Sequence, residues 1–124
     1  MKGLRMVGRM FVTALFVTVI GLTSGLVASW SDDGRIRTGR MIYEEHCFRC
    51  HGLNGEGDGP EADSLVVRPA DFHAPRIRAK TDFELWMAAA YGVAYTPMHG
   101  WLTSLTDEEI LESLRYIREL APPE

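Results

Sequence analysis

Apolar and polar residues follow three different rhythms along this chain. Met10 to Ala28 is an uncharged, mostly apolar run of 19 residues behind the basic residues Lys2, Arg5 and Arg9. As a helix it reaches ~28 Å, close to the ~30 Å hydrocarbon core of a bilayer. After a short polar stretch the pattern becomes helical. Gly39, Tyr43 and Cys47 recur every four residues, which predicts a first helix from about Arg35 to Phe48 with Asp33 as its N-cap. Thr81 with Glu84 forms a capping box, and Phe83, Trp86, Met87 and Ala90 make an apolar stripe that stops at Gly92. Thr106 with Glu109 forms a second box. Behind it Ile110, Leu114, Ile117 and Leu120/Ala121 share one face until Pro122. Residues 52 to about 80, broken by a run of glycines and by Pro60, Pro69 and Pro75, carry neither rhythm.

These patterns predict an all-α fold class with long loops, preceded by an N-terminal apolar helix. Residues 1–28 are expected to form a membrane anchor, residues 29–35 a linker and residues 36–121 a single domain. The alternative for 1–28 is a cleaved signal peptide. Gly21, Ser24 and Gly25 permit cleavage, but the best cut, after Ala28, has Leu26 where a small residue is wanted. The basic end belongs inside the cell and the remainder outside.

Charge narrows the functions. Residues 29–124 hold all 17 acidic residues and ten of the 13 basic ones, a formal charge of −7. That balance argues against nucleic-acid binding and suits partners with basic docking surfaces. A domain of this size with three helices and a ~30-residue irregular loop builds only a modest core. It needs a staple.

The chain's two cysteines offer one, in Cys47-Phe48-Arg49-Cys50-His51. A structural zinc site wants four ligands; there is no second cysteine pair, and His73 and His99 are too far apart for the usual histidine half. A thioredoxin-like pair belongs to a βαβ unit, which the pattern lacks. A disulfide between residues three apart closes a small loop and stabilises little. Cys-x-x-Cys-His is the signature of covalent c-type haem attachment, and this reading leads over a redox dithiol or another metal. Cysteines three apart on a helical turn face one side, toward the two vinyl groups of a haem edge. His51 is then carried to the iron.

With these residues in hand, the chain resembles the class I cytochromes c in their bacterial monohaem form. The resemblance covers most of residues 36–121. It rests on Gly39-x-x-x-Tyr43, the Cys47–His51 motif, Gly55-Glu-Gly-Asp-Gly-Pro60, Arg68-Pro-Ala-Asp-Phe72, Thr96-Pro-Met98, Leu105-Thr-Asp-Glu-Glu-Ile110 and Tyr116-Ile-Arg-Glu-Leu120. It implies a cytochrome c-like fold around one covalent haem c, with iron held by His51 and by Met98, 47 residues further on. The alternative for Met98 is a core methionine; Met87, inside the helical stripe, is expected to be core. The resemblance also implies that the Pro60 carbonyl accepts a hydrogen bond from the His51 imidazole and that Arg68 pairs with a haem propionate. Trp86, Tyr91, Tyr95 and Trp101 are candidates to wall the pocket or to bond a propionate, and the sequence does not choose between these roles. His99 reads as an exposed loop histidine beside the ligand.

An iron with both faces filled passes electrons and has no place for substrate. The expected function is electron transfer, as a membrane-tethered carrier or as the cytochrome c subunit of a respiratory redox complex. The protein is then not itself an enzyme. Redox protein donors and acceptors are expected in or at the same membrane, reached through residues 10–28. The expected location is the bacterial cytoplasmic membrane, with the haem domain in the periplasm or on the outer face; cleavage would make it soluble and periplasmic. The alternative function is a ligand-binding sensor or weak peroxidase with a labile sixth ligand.

Overall fold

A computed structural model describes residues 32–124, so the apolar run 10–28 and the expected anchor lie outside the described residues. Among the described residues the regular elements are all helices, joined by irregular loops, with one isolated bridge, between Gly92 and His99. No helix among them is long and apolar enough to cross a membrane. Arg35–Glu124 forms one compact body. Helix α1 covers residues 32–46. It is followed by α2 (Phe48–His51), a 3-10 turn (Ala62–Ser64), α3 (Pro75–Arg78), α4 (Asp82–Tyr91) and α5 (Asp107–Leu120).

Both expected capping boxes form. In α4 the Thr81 hydroxyl accepts the Glu84 N–H at 3.2 Å, and the Glu84 carboxylate accepts the Thr81 N–H at 2.8 Å. In α5 Thr106 and Glu109 repeat the exchange at 3.3 and 2.8 Å. Helix α4 stops where Gly92 follows it. Pro75, expected only as a break, instead opens α3 at its first turn, where its missing N–H costs nothing. Asp33 lies inside α1 and does not cap it, because the helix already covers residue 32.

The core sits where α1, α4 and α5 meet. Tyr43 and Ile110 are wholly buried, with Phe72, Leu85, Ala90, Leu114, Ile117 and Ala121 around them. The α5 stripe faces inward as its periodicity requires. The α4 stripe does not: Leu85 and Ala90 face the core, whereas Phe83 is 68% exposed and Met87 40% exposed. Met87 is therefore not the core residue expected. Helix α4 packs on α5 along a narrower face than the pattern suggests, and Phe83 stacks on the partly buried Trp86 at the edge of that face (centroids 6.3 Å apart).

Helix α1 crosses α5 at Gly39, which has no side chain to hold them apart. A Cβ there lies 1.9 Å from the Glu112 carbonyl oxygen, so only glycine allows this approach. One turn on, Tyr43 meets Tyr116 of α5 edge-on at 5.4 Å and Phe72 at 6.4 Å, both geometries that favour the ring quadrupoles. Arg118 ties α5 to the start of α4, its Nε donating to Asp82 at 2.9 Å and its guanidinium to the Lys80 carbonyl.

The second capping box gives the fold a pH signature. Hydrogen bonds from the Thr106 N–H and hydroxyl hold the Glu109 carboxylate below its ordinary value of 4.5. A carboxyl lowered on folding adds stability that is whole above the unfolded value and is lost as pH falls through the folded one. Glu109→Gln is expected to lower the melting temperature at neutral pH. The gap to the parent should narrow as pH drops below about 4.5, measured by thermal unfolding across pH 3–7.

Candidate functional site

The Cys47–His51 motif folds as a single helical turn. Cys50 and His51 both donate their N–H to the Cys47 carbonyl, at 3.2 and 2.9 Å, and Gly52 N–H closes the turn on Phe48 at 2.9 Å. The two thiols are unjoined. Burial pushes the Cys47 thiol up to about 12, with Cys50 adding to the shift. The Cys50 thiol is also raised, by burial and then by Glu61. Both are protonated at neutral pH, unlike the low-pKa thiolate of a redox dithiol. Among the described residues no group of three His, Cys, Asp or Glu is placed to hold a metal ion by itself.

His51 is the centre of the site. It is 9% exposed, and its ring lies nearly parallel to Phe72 at 4.5 Å. Burial lowers its pKa, so the imidazole is neutral at physiological pH. Its Nδ1 lies 3.1 Å from the Ala70 carbonyl oxygen. A carbonyl can only accept, so Nδ1 carries the proton, and Nε2 keeps the lone pair that a metal needs.

The acceptor is therefore Ala70, and not Pro60 as the resemblance implies. The 52–61 loop turns back along α2: Gly59 N–H donates to Cys50 O at 3.1 Å and Glu61 N–H to Arg49 O at 2.9 Å. Pro60, between them, is fixed against the backbone of the attachment turn. The carbonyl that reaches the imidazole comes from the next leg of the loop. There Phe72 N–H bonds Gly55 O at 2.8 Å and brings residues 69–72 alongside. Gly57 makes the approach possible, with φ +74° and a hypothetical Cβ only 2.7 Å from the Pro69 carbonyl oxygen. Its own N–H donates to His51 O at 2.9 Å. Neither Ala70 nor Phe72 stands out in the sequence as a site residue. The one signal was their membership of the Arg68–Phe72 segment.

Arg68 lies at the surface of the same segment. It donates to Asp63 at 3.0 Å, and both side chains are largely exposed. Such a pair contributes little. Glu61, by contrast, lies beside the motif, paired with Arg49 and 4.0 Å from the Cys50 sulfur.

Met98 is half-buried in the 92–100 loop. Thr96 braces its backbone: the hydroxyl donates to Val93 O at 2.8 Å and accepts the Met98 N–H at 3.2 Å. The Met98 carbonyl accepts the Val93 N–H at 2.9 Å, closing the loop on itself. His99 is exposed, as expected, and its ring lies against Trp101 at 4.5 Å. Met41 is 66% exposed.

The residues fit a covalent haem. Two protonated thiols sit three apart on one turn, and behind them a buried neutral imidazole has its second nitrogen committed to a carbonyl. Among the described residues only Tyr43 and Ile110 are large side chains that are fully buried, a small core for which a covalent group supplies the staple.

Residues 36–121 match the family model described as Cytochrome c. In structure, the chain is similar to a chain of the Kuenenia stuttgartiensis reducing HAO-like protein complex Kustc0457/Kustc0458. The two are 29% identical, with a TM-score of 0.64, over 70% of this chain and 44% of that one. This chain thus spans less than half of that longer neighbour. Among curated proteins none matches.

Gly57→Ala tests the wedge between the glycine loop and Ala70. A side chain at this positive φ costs about 1–2 kcal/mol before any clash, so the melting temperature should fall by several degrees. The His51 Nδ1–H resonance should shift and exchange faster with solvent in proton NMR.

Proposed function

We propose, for a chain that belongs to the cytochrome c family, that its haem c is attached through Cys47 and Cys50 and its iron is held by His51 and Met98. Covalently bound haem c and haem-based electron transfer come with the family. When bound, the group supplies one-electron exchange between two iron oxidation states.

The chain's own residues do the rest. His51 offers Nε2 because Ala70 holds its other nitrogen, and this single bond carries the proposal. Phe72 stacks on the ring and keeps water from it, and burial keeps the imidazole neutral. Met98 would supply the second iron ligand from a loop whose backbone is bonded by Thr96 and Val93. A saturated iron binds no substrate, so donor and acceptor are other redox proteins. The acidic balance of residues 29–124 favours basic partner surfaces. The similar solved chain comes from a multi-protein complex, which supports a role beside redox partners.

We further propose that residues 1–28 anchor the carrier in the bacterial cytoplasmic membrane and hold residues 36–121 in the periplasm or at the outer face. The basic start followed by 19 uncharged residues supports this. The intact mass of the membrane-extracted protein tests it, since a mass short of residues 1–28 would make the carrier a soluble periplasmic one.

Met98→Ala is the test of ligation. It is expected to abolish the methionine-to-iron charge-transfer band of the oxidised protein, lower the potential and open the reduced iron to carbon monoxide. A variant with the parent's spectrum and potential would rule Met98 out.

A further inference from the structure

Resting on the His51/Met98 reading, we propose that Trp101 is a positioning residue. Its indole, wedged between His46 and His99, holds the Met98 loop to the haem-attachment segment and so keeps Met98 on the iron. His46 ends α1 and immediately precedes Cys47, while His99 immediately follows Met98. The Trp101 ring lies 5.1 Å from the first and 4.5 Å from the second, at tilts of 57° and 45°. One side chain therefore touches both stretches of chain that bracket the site.

The wedge is itself held. Trp101 N–H donates to the Ala89 carbonyl of α4 at 3.0 Å. Its carbonyl accepts the N–H groups of Ser104 and Leu105, both at 2.8 Å. The ring packs against the core that includes Leu85 and Ala90. The bonds of Thr96 and Val93 shape the ligand loop but tie it only to itself. The contact through Trp101 gives the loop a reference to the far side of the site.

A thioether is a weak ligand on a flexible side chain, so its occupancy of the iron depends on where the loop holds it. Loss of the wedge shifts the population towards an open sixth position and leaves His51 and its Ala70 bond in place.

The test uses the full-length, haem-loaded protein and three readouts: the methionine charge-transfer band, the fraction of reduced protein binding carbon monoxide at a fixed limiting concentration, and thermal unfolding. Trp101→Leu is expected to weaken the band and raise the carbon monoxide-binding fraction roughly tenfold, in proportion to two lost ring contacts. Trp101→Phe should restore most of the parent's behaviour. If Trp101→Leu lowers only the melting temperature, with band and carbon monoxide binding as in the parent, Trp101 is a core residue and the proposal fails. Should Trp101→Leu not accumulate with haem, His46→Leu removes the other ring contact of Trp101. A rise in carbon monoxide binding then supports the wedge, and parental binding overturns it. A parent without the methionine band would instead overturn the ligation itself, a failure visible before any variant is made.

Discussion

The hydrogen bond from His51 Nδ1 to the Ala70 carbonyl organises more of this molecule than its single 3.1 Å contact suggests. It selects the tautomer, and with it the nitrogen left for iron. It also requires a backbone carbonyl to arrive beneath a ring that is 9% exposed. That arrival explains the irregular segment. The glycine loop turns back on α2, Gly57 lets residues 69–70 come close, and the Phe72–Gly55 bond clamps the second leg in place. A loop of ~20 residues with a single short 3-10 turn would be unusual in so small a body if it served only to connect helices. Here its course is set by the histidine it must reach.

The helical frame and the site are joined through rings. Tyr116 of α5 meets Tyr43 of α1, Tyr43 meets Phe72 of the loop, and Phe72 stacks on His51. The Tyr43 hydroxyl adds a 2.7 Å bond to the Gly52 carbonyl at the end of the attachment turn. Because α1 and α5 approach at Gly39, one turn earlier, the contact that fixes the helix crossing also fixes where the aromatic chain begins. Rigidity at the crossing reaches the imidazole through packed side chains, which tolerate little displacement in a dense interior.

What could be read from the sequence was local. Capping boxes depend on residues three apart, and Thr81–Glu84 and Thr106–Glu109 both form. The Cys47–His51 turn is equally local. Its match to the cytochrome c family over residues 36–121 agrees with the resemblance those residues carry. What depended on distant partners was less legible. A carbonyl acceptor leaves no mark in residue type, so Ala70 was hidden behind Pro60, whose neighbours bond the attachment turn instead. The α4 pattern named an apolar stripe but not which part of it α5 would cover, and Phe83 and Met87 fell outside. The pairing of Arg68 with Asp63, five residues away in the chain, is an exposed one that residue type alone does not specify. Trp101 showed only as an aromatic without a role, since its two ring neighbours lie 55 and two residues off.

The two halves of the site are therefore built on different terms. The His51 side is closed by the helical turn, the Ala70 bond, the Phe72 stack and the Gly57 N–H on its own carbonyl, all converging on one residue. The Met98 side is a loop closed by Thr96 and Val93, with Tyr95 at its tip at φ +63° and fully exposed. The Met98 loop is held at its end by the backbone packing of Gly100 on α4, whereas releasing His51 disturbs the core through Phe72 and Tyr43. For a carrier this asymmetry is favourable. On the proposed ligation, His51 would fix the haem environment, and occupancy of the iron by Met98 would separate electron transfer from ligand binding. A difference between those two functions then requires only a change in how firmly residues 92–101 are held, with the rest of the fold unchanged.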